Sequence, residues 1–185
     1  MPLIKNSRIL IMATHGFEQS ELEGPLQQLK AKGAKVDVAA PIAGDIKGWK
    51  GGDWGTPVKV DLTLDQVAVG NYDALVLPGG VISPDKLRVN KNALAIIKDF
   101  LATGKVVAAI CHGPWLLIEV GAVRGREVTS YISIRTDVIN AGGIWVDKPV
   151  AVSEGIITSR NPGDIDAFVE KIVEEVLEGR HQRAA

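Results

Sequence analysis

Cys111 and His112 stand side by side, a thiol nucleophile next to an imidazole base, in a chain with no other cysteine. The pairing suits attack on a carbonyl carbon, provided the backbone turns the imidazole back toward the pocket that holds the sulfur. Val106 to Ile110, just before it, is a short apolar, β-branched-rich run of the kind that forms a buried parallel strand. Gly113-Pro114 then supplies a turn and a residue suited to the first helical position, and the following residues read as a helix ending at Gly121. Cys111 therefore falls at a strand-to-helix elbow, the placement serine hydrolases give their nucleophile. Amides and the dipole at the helix start predict a thiol pKa well below its usual ~8.5. A small buried cysteine at a tight turn is the other use of such a position.

Functional groups of open α/β sheets collect beyond the carboxyl ends of the strands. Three segments end strands in this way: Thr14-His15-Gly16-Phe17-Glu18, Pro78-Gly79-Gly80 and Cys111-His112. Glu18 can hydrogen-bond and tune the cysteine, or simply open a helix as its cap. Gly79 and Gly80 can bring bare N–H groups to a developing oxyanion, or serve only as a turn needing positive φ. His15 suits a substrate contact or plain surface exposure.

Alternating strand and helix signals place these segments on a mainly parallel sheet covered on both faces. Arg8 to Ala13, Lys35 to Ala40, Ala74 to Leu77 and Val106 to Ile110 read as its strands. Ile144 to Val146, Val150 to Val152 and Ile156 to Thr158 read as short late strands. Helices are predicted from Phe17 to Gly33, from Asn92 to Ala102, from Ser133 toward Ala141 and from Asp164 to Leu177. Pro41 to Pro57 is Gly-rich and reads as a long loop or an irregular hairpin, and Val58 to Asp61 alternates like an edge strand. Its two tryptophans, Trp49 and Trp54, should either cover the pocket or meet another subunit.

The 185 residues suit one domain, 1–185, with a mobile polar tail from about 179. A net charge of −1 provides no basic field for nucleic acid, and the apolar run Ile9 to Ala13 is too short to cross a membrane. One cysteine forms no internal disulfide, and with three histidines it makes a poor metal site. These features predict a cytoplasmic protein without metal or other cofactor.

Ala109-Ile110-Cys111-His112-Gly113-Pro114, Leu77-Pro78-Gly79-Gly80 and Gly16-Phe17-Glu18-Gln19-Ser20-Glu21-Leu22 together resemble the PfpI family of intracellular cysteine proteases. Thr129-Ser130-Tyr131 and Ile139-Asn140-Ala141-Gly142 resemble it too, so the likeness spans nearly the whole chain. The superfamily includes the parkinsonism-associated deglycase and the class I glutamine amidotransferase fold. What the resemblance implies is a flavodoxin-like three-layer sandwich with Cys111 as nucleophile and Glu18 hydrogen-bonded to its sulfur. Gly80 and His112 would supply oxyanion-hole amides. In the proteases the adjacent histidine, here His112, and a glutamate from a neighbouring subunit complete a triad. Asp85, one methylene shorter, stands at that glutamate position. Trp115, where relatives often carry a smaller or polar residue, either narrows the pocket or belongs to the core.

The expected activity is that of a stress-response enzyme using Cys111 on reactive carbonyls or their adducts, as in glyoxalase III and deglycase chemistry. One alternative is a peptidase completed by an oligomer. Another is a redox sensor or chaperone whose cysteine is oxidised without turnover. Amidotransfer is disfavoured, because no distant histidine within the folded part follows Cys111. The partners expected are a small carbonyl or peptide substrate and at least one further copy of the chain.

Overall fold

Runs in which every residue is apolar form the middle of the sheet, and the alternation of side chains across a strand divides them between two cores. The computed structural model describes residues 4–183. Strand β1 (Arg8–Met12) leads through a two-residue strand, β2 (Phe17–Glu18), into helix α1 (Gln19–Ala31) and then β3 (Lys35–Ala40). A hairpin follows, made of β4 (Asp45–Lys50) and β5 (Asp53–Lys59), and then β6 (Leu62–Thr63) and β7 (Ala74–Leu77). Next come α2 (Ile82–Leu87), α3 (Lys91–Ala102), β8 (Val106–Ile110) and α4 (Pro114–Glu119). The chain continues with β9 (Glu127–Val128), α5 (Arg135–Asn140), β10 (Ile144–Trp145), β11 (Val150–Ser153), β12 (Ile156–Ser159) and α6 (Ile165–Glu178).

The main sheet has seven strands in the order β11-β12-β8-β7-β1-β3-β6, parallel except where β11 runs against β12. Ile9 and Ile11 of β1 and Ala108 and Ile110 of β8 point toward α1 and α6, where Leu22, Leu29, Phe168 and Ile172 cover them. Leu10, Met12, Val107 and Ala109 point the other way, toward Ile97 and Phe100 of α3 and Leu116 and Leu117 of α4. Helices on both faces make this the expected three-layer α/β sandwich.

Of the two forms expected for the Pro41 to Pro57 region, the irregular hairpin is the one adopted, and it pairs with β2 in a separate three-stranded sheet. One expectation is corrected. Val58 and Lys59 belong to that hairpin, and the edge of the main sheet is β6 instead. Ile144-Trp145 pairs with β9 outside the main sheet, because β11 already occupies that edge.

The tail from 179 is tied down as far as Arg183, its last two residues lying outside the described ones. His181 N–H donates to Gly104 O at 2.8 Å. The guanidinium of Arg183 donates to the carbonyls of Glu154, Leu101 and Lys105. A charged donor satisfying three backbone acceptors outweighs the entropy of a short polar tail. Arg183→Ala is therefore expected to cost about 1–3 kcal/mol in urea unfolding while leaving Cys111 alkylation unchanged. Wild-type stability in that variant would mean the tail is not anchored.

Candidate active site

Cys111 leaves β8 with φ of +63°, one of two non-glycine residues at positive φ among those described. A side chain in this conformation costs about 1 kcal/mol or more, and the surroundings hold it there. Cys111 N–H donates to Ser159 O at 3.0 Å, and its carbonyl accepts from Tyr131 N–H at 2.9 Å. Glycine is required on both sides of the elbow. A Cβ on Gly113 would stand 2.5 Å from Leu77 O, and one on Gly79 would stand 2.6 Å from Cys111 Cβ. Gly80, at φ of +78°, backs onto Gly16 and Glu18 so closely that no side chain fits. Cys111 itself is only 6% exposed.

The carboxyl against the sulfur belongs to Glu21, not Glu18. Glu18 is the residue that opens α1; its carboxylate accepts a long 3.4 Å hydrogen bond from Ser20 Oγ at the half-buried rim. Three residues further on, the helix has turned, and Glu21 shares the buried stripe of Leu22, Pro25 and Leu29. Its Oε2 accepts Gly79 N–H at 2.8 Å, and Oε1 is buried without a hydrogen-bond partner. The Gly79 amide is thus committed to Glu21, and the amides that face the sulfur are those of Gly80 and His112.

His112 does turn back to the pocket. Its Nδ1 lies 3.2 Å from Cys111 Sγ, and its Nε2 lies 3.0 Å from Ser133 Oγ. The ring stacks on Tyr131, with centroids 5.1 Å apart, and meets the edge of Trp115 at the same distance. Trp115 is half-buried; its Nε1–H donates to Asp137 Oδ2 at 2.7 Å, and the Arg88 guanidinium lies over its ring. Asp85 sits on the exposed side of α2, away from these partners. His15 accepts Lys47 N–H on Nδ1 and lines a separate cavity of about 310 Å³ with Lys47, Trp54 and Lys86. Trp49 and Trp54 meet edge-to-face across the hairpin, and Trp54 is half exposed on that cavity.

Burial dominates the electrostatics. It pushes the Glu21 carboxyl up to about 8, against the lowering influence of the neighbouring Cys111 side chain and of the Gly79 N–H bond. It also pushes the Cys111 thiol up, as does the charge of Glu21 when ionised, while the amides of Gly80 and His112 pull it down. This runs against the expectation of a low thiol pKa: α4 is a single short helix of six residues, and its dipole does not offset the burial of the sulfur. His112 is held below its usual value by burial, with Asp137 opposing. At neutral pH the site therefore holds a protonated carboxyl, a thiol and a neutral imidazole with Nδ1 facing the sulfur.

Residues 7–175 match the DJ-1/PfpI family, and the chain belongs to it. It is 44% identical over 166 residues to the Pyrococcus furiosus protein named deglycase PfpI, covering 90% of this chain and 97% of that one. It is 38% identical to a Bacillus subtilis protein named putative cysteine protease YraA, covering 88% and 94%. Among solved structures it is similar to Drosophila melanogaster DJ-1beta, with a TM-score of 0.83 and 28% identity over 96% and 95% of the two chains.

Sequence reading missed Glu21, Ser133 and Asp137. A signal existed for the first, an acidic residue on the apolar stripe of α1. None existed for the other two, which reach His112 and Trp115 only through the fold.

The raised carboxyl has a consequence for stability. Between the unfolded value near 4.5 and the folded value of about 8, the native state binds more protons than the unfolded chain. Stability from this group is complete at low pH and falls as pH rises through that window, by up to about 1.4 kcal/mol per pH unit. Glu21→Gln should abolish the decline relative to wild type. Glu18→Gln, which removes a neighbouring charge that raises Glu21, should keep the decline and lower its upper end. Identical pH–stability profiles for Glu21→Gln and wild type would show that Glu21 is ionised in the native state.

Proposed function

We propose that this DJ-1/PfpI family member is a cysteine-dependent stress-response enzyme acting on reactive carbonyls or the adducts they form on amines. The observation that carries the reading is the neutral Glu21 carboxyl beside the buried Cys111 thiol, both supplied by the same chain. The name of the Pyrococcus furiosus relative supports the same chemistry.

The residues divide the work. His112 Nδ1 takes the thiol proton as the sulfur attacks the carbonyl carbon, forming the C–S bond. The carbonyl electron pair moves to oxygen, where the Gly80 and His112 amides that face the sulfur stabilise it. Glu21, still protonated below about pH 8, delivers its proton to that oxygen and as carboxylate can then accept one from the adduct. A thiol of raised pKa suits this sequence, because the base acts when substrate is present and no standing thiolate is needed. Burial at 6% exposure also favours a small carbonyl over a folded polypeptide.

The peptidase alternative is favoured by the name of the Bacillus subtilis relative. It needs Asp85 of one subunit against His112 of another, and hence an oligomer. We propose a homo-oligomer of at least two copies in either case, because the half-exposed Trp54 and the exposed Val81, Val89 and Ile132 present apolar surface. No helix among the described residues is long and apolar enough to cross a membrane, and a cytoplasmic location is part of the proposal.

A panel of methylglyoxal, a glycated amine and a fluorogenic peptide tests the reading. Wild type should turn over one or both carbonyl substrates, Cys111→Ser neither, and Glu21→Gln should lower kcat by roughly 100-fold or more. Glu18→Gln should retain activity within a few-fold. The wild-type kcat should fall on the alkaline side as Glu21 loses its proton near pH 8. Cleavage of the peptide alone, abolished by Asp85→Asn, would establish the peptidase instead.

A further inference from the structure

We propose that Ser133 is a positioning residue for His112, holding the Nε2 proton so that the Nδ1 lone pair rests on Cys111 and giving the thiol proton an exit to solvent. The inference concerns the same site and rests on the reading of Cys111 as the nucleophile. A neutral imidazole has one donor nitrogen and one acceptor nitrogen. Nδ1 is 3.2 Å from Sγ and Nε2 is 3.0 Å from Ser133 Oγ, so an S–H directed at Nδ1 requires the proton on Nε2, with Ser133 accepting it. Ser133 is delivered by the Tyr131 N–H bond to Cys111 O, which fixes the turn Ile132–Ile134 against the elbow. The same turn exposes Ser133 to solvent on its other side.

Other groups around the ring leave that place to Ser133. The Cys111 thiol, with Glu21 beyond it, occupies the Nδ1 side, and the Tyr131 phenol ring stacks on the face. Asp137 on α5 spends its Oδ2 on Trp115 Nε1 rather than on the imidazole. Behind Trp115, Arg88, the residue just after α2, is paired with Glu119 on α4 at 2.6 Å. The hydroxyl of this chain thus stands where the partner-subunit acid of the protease triad would have to reach.

The proton count closes. The S–H proton moves to Nδ1, the Nε2 proton moves to Ser133 Oγ, and the Ser133 hydroxyl proton passes to water. What remains is a thiolate, an intact serine and a neutral imidazole protonated on Nδ1, with one proton released. The reverse path returns the proton when the sulfur leaves.

The test pairs ¹⁵N-histidine NMR with methylglyoxal kinetics on wild type, Ser133→Ala, Ser133→Thr and Asp85→Asn. Wild type and Ser133→Thr should show His112 protonated on Nε2 alone, and Ser133→Ala should show both tautomers. Ser133→Ala should also lose roughly tenfold in kcat at similar KM, with Ser133→Thr restoring it and Asp85→Asn unchanged. A pure Nε2–H tautomer in Ser133→Ala would overturn the proposal, as would a kcat loss confined to Asp85→Asn. Tautomers as expected in a wild type inactive on every carbonyl would uphold Ser133 and refute the carbonyl reading.

Discussion

The site depends first on one backbone conformation, the +63° φ at Cys111. It lifts the sulfur off the end of β8 and turns the next residue so that the His112 ring folds back onto it. The strain is held by bonds to Ser159 and Tyr131, from two segments distant in the chain. The elbow also fixes its neighbours as glycines: Gly113 because Leu77 O leaves no room for a Cβ, Gly79 because Cys111 and Glu21 close on it. The parallel order β12-β8-β7-β1 then brings the ends carrying Ser159, Cys111, Gly79 and the approach to Glu21 side by side.

Within that geometry, burial decides the protonation states. A 6% exposed sulfur and a fully buried Glu21 cannot both carry a negative charge side by side without a large desolvation and repulsion cost. Each acidic group therefore holds its proton at neutral pH, and the imidazole, pushed down by the same burial, stays neutral and basic. An acid, a nucleophile and a base are thus stored together uncharged. The thiol and carboxyl titrate as a coupled pair, so the removal of one proton alters the affinity of the other.

Much of this was legible in the chain. The buried run Val106 to Ile110 and the Gly113-Pro114 break located the elbow, since a strand of that type followed by a helix-starting proline has few other readings. The alternation of strands and helices predicted the sandwich. What failed did so for physical reasons. Glu18 and Glu21 differ by three residues, and helix phase alone places one at the rim and the other on the sulfur. The docked tail depends on contacts across the fold, such as the Arg183 bonds to Leu101 and Lys105, which no local pattern announces. The thiol's raised pKa was missed because helix dipoles are visible in sequence and desolvation is not.

The most direct test of the central claim is infrared spectroscopy of the folded protein at pH 6.5, comparing wild type with Glu21→Gln. A protonated-carboxyl C=O band present in wild type, absent from Glu21→Gln and titrating away near pH 8 is the result this account predicts. A Glu21 carboxylate already ionised at pH 6.5 and titrating near 4.5 would contradict it.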